Sequence, residues 1–231
     1  FTKSVICVTS DKVYENVGKL KGYKESDTLG GTDPYSASKS SSEILIRSYR
    51  ESFFKKNNLC GISSVRAGNV IGGGDWSENR LLPDCIKSLM KKKKIVLRNP
   101  NFTRPWQFVL EPLKGYLILA KRQFTQPLKF SGAWNVGTQS NASIKVIEIV
   151  KLIIKFWGNG QIKVLNTSRF KEQKNLQIDS SKAKKILNWK TSYTTKKAVS
   201  VTSEWYSKVF RDKLKPVDIT FQQINDYMKN P

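Results

Sequence analysis

The chain has 231 residues, with 41 Lys and Arg against 18 Asp and Glu, no histidine and a formal net charge of +23. Without histidine there is no Ser-His-Asp or Cys-His nucleophile system and no imidazole metal site, so any general base must be a carboxylate, Lys or Tyr. The cysteines Cys7, Cys60 and Cys85 are far apart and odd in number, which fits neither a disulfide framework nor a zinc cluster and predicts a chain without a metal in a reducing cytoplasm.

Ser4-Val5-Ile6-Cys7-Val8-Thr9 is a short apolar run of the kind a buried parallel strand shows. It ends in the polar cluster Ser10-Asp11-Lys12. After a Gly-rich polar stretch from Gly18 to Pro34, the spacing predicts a helix from near Tyr35 to about Asn57. Gly61 to Arg66 reads as a strand and Gly68 to Trp76 as a loop. Leu81, Leu82, Cys85, Ile86, Leu89 and Met90 mark a helix ending in the basic run Lys91 to Lys94, and Ile95 to Arg98 an edge strand. A helix is predicted from Leu110 to Gln123, a buried strand from Ala133 to Gly137, and a helix from Ile144 to Phe156. Ile162 to Leu165 follows as a strand, and Ser180 to Leu187 and Thr195 to Phe210 as helices. Strands alternating with long helices argue for an α/β sheet with crossover connections.

No apolar run approaches the ~18 residues of a membrane span, and Phe1-Thr2-Lys3-Ser4 has no signal-peptide pattern. Excess positive charge attracts polyanions. Here the basic residues are spread along the whole length, and the dense run at Lys91 to Lys94 also reads as a helix C-terminus whose cations favour the macrodipole.

Two motifs carry chemistry. Tyr35 and Lys39 in Pro34-Tyr-Ser-Ala-Ser-Lys39 are four apart at the start of a helix, so both side chains lie on one face. An adjacent ammonium favours a tyrosine's phenolate and makes it a usable base. Alone the spacing is a weak signal, because such pairs are common on exposed helices. Thr9-Ser-Asp-Lys12 places a hydroxyl, a carboxylate and an amine at the C-terminal end of a strand, the edge at which open parallel sheets bind ligands. Alone it also reads as an ordinary polar turn.

Their order, together with Arg66-Ala-Gly-Asn-Val-Ile-Gly-Gly-Gly-Asp-Trp76, Arg104-Pro-Trp-Gln-Phe-Val-Leu-Glu-Pro112 and Asp179-Ser-Ser-Lys-Ala183, resembles the extended short-chain dehydrogenase/reductase superfamily. Within it the sequence is most similar to the CDP-glucose 4,6-dehydratases. The resemblance implies the C-terminal part of a Rossmann-like doubly wound parallel sheet plus a smaller mixed α/β substrate-binding domain. Residues 1–80, with a returning strand near 133–137, would complete the dinucleotide-binding half. Residues 81–210 would form most of the substrate domain, interleaved with it, and 211–231 a C-terminal tail.

The resemblance also implies NAD as cofactor, a nucleotide-diphosphate sugar as substrate, neither nucleic acid nor membrane as partner, and a homodimer in the full-length form. Tyr35 would take the proton of the sugar 4-hydroxyl and Lys39 would hold the nicotinamide ribose. Ser10 would bond the 4-oxygen. Asp11, kept protonated by a water-poor site, would be the acid for the departing 6-hydroxyl. Lys12, its ammonium disfavoured by burial near Lys39, would be the base at C5. Asn69 and Arg104 would contact the diphosphate, a task suited to the bidentate fork of Arg. The family's Gly-x-x-Gly-x-x-Gly segment does not occur in the sequence, which implies an N-terminally truncated chain, inactive alone. The stretch Lys171 to Asn175 resembles the family loosely. Competing readings are another dehydratase or an epimerase of the superfamily, and a non-catalytic polyanion-binding protein on a degenerate scaffold.

Overall fold

A computed structural model describes residues 2–19, 21–55, 60–138, 143–165 and 176–229. In chain order they form β1 (Ser4–Val8), a single 3-10 turn (Asp11–Val13), α1 (Pro34–Tyr49) continued by a π-helical turn (Arg50–Phe54), β2 (Gly61–Arg66) and β3 (Asn69–Ile71). Then come α2 (Leu81–Met90), β4 (Ile95–Leu97), β5 (Thr103–Phe108), α3 (Leu110–Thr125), α4 (Pro127–Phe130), β6 (Gly132–Asn135) and β7 (Ser143–Lys145). The order closes with α5 (Val146–Trp157), β8 (Ile162–Val164), α6 (Ser181–Leu187), α7 (Thr195–Phe210) and α8 (Pro216–Met228). Two compact units result: Phe1–Gly68 with Glu111–Ser140 and Gln173–Thr191, and Asn69–Leu110 with Asn141–Glu172 and Ser192–Pro231. The chain thus leaves the first unit at Gly68, ahead of residue 80 where the sequence suggested a boundary.

The first unit is built on a parallel sheet in the order β1-β2-β6, with Val8 opposite Val65 and Arg66 opposite Asn135. β2, at the centre, is buried at every position, which is why Gly61-Ile-Ser-Ser-Val-Arg shows no polar alternation. Its polar side chains are bonded internally: Ser63 donates to the Phe130 carbonyl at 3.0 Å and Ser64 to Glu43 at 2.6 Å. Val65, Leu119, Phe130, Trp134 and Trp189 fill the core of this unit. Gly115 lets α3 come close: a Cβ there would lie 3.0 Å from Val136 Cγ1 and 3.2 Å from Trp189 Nε1. The Trp189 indole in turn donates to the Glu111 carbonyl at 3.0 Å.

In the second unit β3 pairs parallel with β5, β5 antiparallel with β7, and β4 parallel with β8. Apolar faces of α2, α5 and α7 close over one core of Ile86, Leu89, Ile149, Ile153, Ala198 and Tyr206, all 5% exposed or less. Among the described residues no helix is long and apolar enough to cross a membrane.

Several elements differ from the sequence expectations. The Gly68–Trp76 loop contains β3, and the Arg104 segment is strand β5 despite Pro105, which sits where the pairing changes from β7 (103–105) to β3 (106–108) and so has a neighbour on one side only. The start of the helix expected at Ile144 is a short strand, β7. The helix expected to reach Asn57 is α-helical to Tyr49 and widens into the π turn, while Asn57 lies outside the described residues. The expected tail contains α8, anchored by the buried side chains of Ile219 and Tyr227.

Candidate active site

At the C-terminal end of β1 the backbone stays tied to β2: Thr9 N–H donates to Val65 O at 2.9 Å and Asp11 N–H to Ala67 O at 3.0 Å. Between these ties Ser10 caps the 3-10 turn, accepting from the Lys12 N–H at 3.2 Å while its hydroxyl donates to Asp11 Oδ1 at 3.0 Å. A strand end held by two backbone bonds and closed by a cap presents Ser10, Asp11 and Lys12 at the carboxyl edge of a parallel sheet, where ligands bind in such folds. Gly68 makes room for the acid, since a Cβ there would stand 3.3 Å from Asp11 Oδ2. Burial pushes the Asp11 carboxyl up to about 6; the Ser10 hydrogen bond and the nearby Lys12 charge pull the other way and do not offset it.

α1 starts where the sequence demands. Asp33 caps it by accepting from Ser36 N–H at 3.0 Å and from the Ser36 hydroxyl at 2.6 Å, and Pro34 occupies the first turn. Tyr35 and Lys39 therefore lie on the first two turns. The Tyr35 ring is 46% exposed, with Lys39 Nζ 5.9 Å and Lys12 Nζ 5.6 Å from its centroid. Two ammonium groups from different elements thus converge on one phenol, and the two motifs picked from the sequence become one cluster. Lys12 is exposed, so the burial expected around it is not found. Beside it opens a cleft of about 480 Å³ lined by Lys12, Tyr14, Glu15, Thr32, Ser36 and Leu176.

Asn69 and Arg104 belong to the second unit, on adjacent parallel strands. Asn69 Nδ2 donates to the Pro105 carbonyl at 3.2 Å. Arg104 Nη1 donates to the Thr103 carbonyl at 3.2 Å, and the guanidinium lies 5.8 Å from the Phe102 ring centroid. In the glycine run Gly72 to Gly74, Gly73 lies directly against an aromatic ring: a Cβ there would come within 2.2 Å of Trp205. Sequence reasoning passed over Glu43 and gave Arg66 no role, although both are buried between α1 and the sheet. The four-residue spacing Tyr35, Lys39, Glu43 was the available signal.

The model of the GDP-mannose 4,6 dehydratase family matches residues 2–202, a stretch that holds the whole cluster together with Asn69 and Arg104. The chain belongs to this family. It is 37% identical, over 98% of its own length, to the CDP-glucose 4,6-dehydratase of Salmonella typhimurium, and covers 64% of that protein. It is 26% identical over 86% of its length to the dTDP-glucose 4,6-dehydratase of Xanthomonas campestris, covering 56% of it. Among solved structures, a dTDP-glucose 4,6-dehydratase from Bacillus anthracis, in complex with NAD, superposes with a TM-score of 0.73 at 22% identity, over 89% of this chain and 62% of that one. A UDP-glucose 4-epimerase from Thermotoga maritima gives 0.74 at 18% identity, over 92% and 65%. The chain thus spans less than two thirds of these relatives' length. The structural likeness establishes the Rossmann-type fold that dehydratases and epimerases share.

Proposed function

We propose that the chain carries the acid/base half of an NAD-dependent nucleotide-sugar 4,6-dehydratase whose substrate is CDP-glucose and whose product is CDP-4-keto-6-deoxyglucose. The observation that carries this reading is the convergence of Lys12 and Lys39 on the Tyr35 ring beside an Asp11 carboxyl raised to about 6. Oxidation alone needs a base and a cation. Loss of water needs a further acid and base, and Asp11 and Lys12 supply that pair. The 37% relative supports cytidine as the nucleoside.

The residues present suit the nicotinamide ribose end of NAD, because Lys39 stands next to the exposed phenol that would face the reacting carbon. When bound, NAD takes a hydride from C4 and returns it to C6. Tyr35 removes the 4-hydroxyl proton while Ser10 donates a hydrogen bond to the 4-oxygen. Once C4 is a ketone, Lys12 removes the C5 proton and Asp11 delivers one to the leaving 6-hydroxyl, releasing water. Lys12 would then return a proton to C5 as the bound cofactor supplied hydride at C6, so that the net change is the loss of one water with no net oxidation. Asn69 and Arg104 are the proposed diphosphate contacts.

The test is turnover of CDP-glucose with NAD in deuterated water by the full-length protein. The wild type is expected to place deuterium at C5 of a 6-deoxy-4-keto product, and Lys12→Met to abolish that exchange. A 4-epimer as the only product, or faster conversion of dTDP-glucose or GDP-mannose, would contradict the reaction or the nucleoside respectively.

A further inference from the structure

The cluster is held by a group that touches none of the reacting atoms. Glu43 lies one turn beyond Lys39 and two beyond Tyr35 on α1, and is 3% exposed. Its Oε1 accepts from the Thr9 hydroxyl at 2.5 Å and from Arg66 Nε at 3.0 Å. Its Oε2 accepts from the Ser64 hydroxyl at 2.6 Å and from Arg66 Nη2 at 2.8 Å. Every acceptor site of the carboxylate that faces the sheet is therefore used. Burial pushes its carboxyl up, but the Arg66 bonds and charge and the two hydroxyls outweigh this and hold it below the ordinary value.

Arg66 extends the network to the other end of the turn. Its Nη1 donates to the Tyr14 hydroxyl at 2.7 Å and to the Glu25 carbonyl at 3.3 Å. The Tyr14 hydroxyl donates to Asn135 Oδ1 at 2.7 Å, and Asn135 Nδ2 donates to the carbonyls of Tyr23 and Asp179. Thr9 is the residue before Ser10, and Tyr14 is the second after Lys12. One buried ion pair thus grips the residues flanking the Ser10-Asp11-Lys12 turn on both sides, and also the helix that carries Tyr35 and Lys39.

We infer that Glu43 and Arg66 are positioning residues that set the placement of the Ser10-Asp11-Lys12 turn against the Tyr35-Lys39 helix. This deepens the dehydratase reading and rests on it for its catalytic meaning. Backbone bonds from Thr9 and Asp11 to the carbonyls of Val65 and Ala67, with a longer bond from the Thr9 hydroxyl to Val65 O at 3.4 Å, tie the turn to β2. Side-chain bonds from α1 to β1 pass through Glu43 and Thr9. A buried pair of this kind contributes less to net stability than its bond count suggests, because desolvation opposes it. Its value here is directional: guanidinium and carboxylate are planar, and two parallel bonds between them fix orientation as well as distance.

The test reads the turn without requiring turnover. Aspartate carboxyl carbons are labelled with 13C in the 231-residue chain, the Asp11 signal is assigned with Asp11→Asn, and its titration is followed by NMR. The wild-type midpoint is expected at about 6. Thr9→Val keeps the ion pair and cuts its tie to the turn. Glu43→Gln removes the charge. In each variant the turn gains water, and the midpoint is expected to fall by about one unit toward the ordinary aspartate value. Near-UV circular dichroism confirms that each variant keeps native packing, and Thr9→Val decides the matter if Glu43→Gln unfolds. An Asp11 midpoint unchanged from wild type in folded Thr9→Val overturns the inference, even if stability has dropped. A shifted midpoint in this chain, alongside a full-length protein that does not convert CDP-glucose, upholds the inference and defeats the dehydratase reading instead.

Discussion

The two units solve the same packing problem by opposite means. Between α1 and the sheet of the first unit the buried residues are polar: Ser36, Ser40, Glu43, Ser64 and Arg66, each 5% exposed or less. In the second unit the interface of α2, α5 and α7 is mainly aliphatic and aromatic, with Thr195, Thr202, Ser203 and Ser207 of α7 buried among them. Apolar contacts are non-directional and tolerate small slips, whereas a saturated polar network admits one arrangement. The proposed acid/base cluster sits on the polar interface, where placement within a fraction of an ångström matters most.

Charge removal should separate the two regions most sharply. Arg66→Ala leaves the Glu43 carboxylate buried without its partner and is expected to cost about 3–5 kcal/mol, enough to unfold a marginal domain. Replacing Glu43 and Arg66 together by Gln and Met should restore much of that loss. In the second unit Ile149→Ala is expected to cost about 2–5 kcal/mol through a cavity, with no rescue by any second polar change. Urea unfolding of the three variants checks this. Equal behaviour of single and double changes at the polar interface would contradict it.

A smaller effect depends on pH and has opposite sign at two carboxyls. Asp11 binds its proton more tightly folded than unfolded, so its contribution falls as pH rises from the ordinary aspartate value, about 4, through about 6. Glu43 binds its proton less tightly folded, so its contribution is present above the ordinary glutamate value and is lost as pH falls below it. Asp11→Asn should therefore be more stable than wild type at pH 7, by up to about 2 kcal/mol after allowance for its partial exposure. The gain should vanish near pH 4. Thermal melts across that range check the sign.

The smallest expected effect concerns the basic run. Replacing Lys91 to Lys94, which follow the end of α2, by Gln should leave CDP-glucose affinity nearly unchanged. Arg104→Ala should weaken it at least about tenfold, the scale of one charge-assisted contact. Calorimetry gives the ranking, and the reverse order would move the diphosphate site away from β5.

What the sequence disclosed follows from the same contrast. α2, α3 and α7 were legible because their apolar residues have the helical period, and β1 and β2 because they are short β-rich runs without alternation, as buried parallel strands are. β3 and β7 were not, because three residues carry no period and each exists through pairing with β5. β5 was hidden by Pro105. Glu43 was hidden by an inversion: on α1 the apolar Ile44, Leu45 and Tyr49 are more than half exposed while Ser36, Ser40 and Glu43 face the sheet. A rule that assigns apolar residues to the buried face fails wherever a buried network takes their place. The candidate site residues were picked from their order along the chain, and Lys12 and Lys39 do converge on the Tyr35 ring, but the exposure of Lys12 depends on tertiary placement that no local pattern encodes.

The account stands most directly on one single-turnover experiment with Asp11→Asn, NAD and CDP-glucose. If Asp11 is the acid for the leaving 6-hydroxyl, oxidation at C4 proceeds, reduced cofactor and the 4-keto hexose accumulate, and the 6-deoxy product forms about 10² to 10⁴ times more slowly than in the wild type. Formation of the 6-deoxy product at the wild-type rate would contradict the account and return Ser10-Asp11-Lys12 to an ordinary strand end.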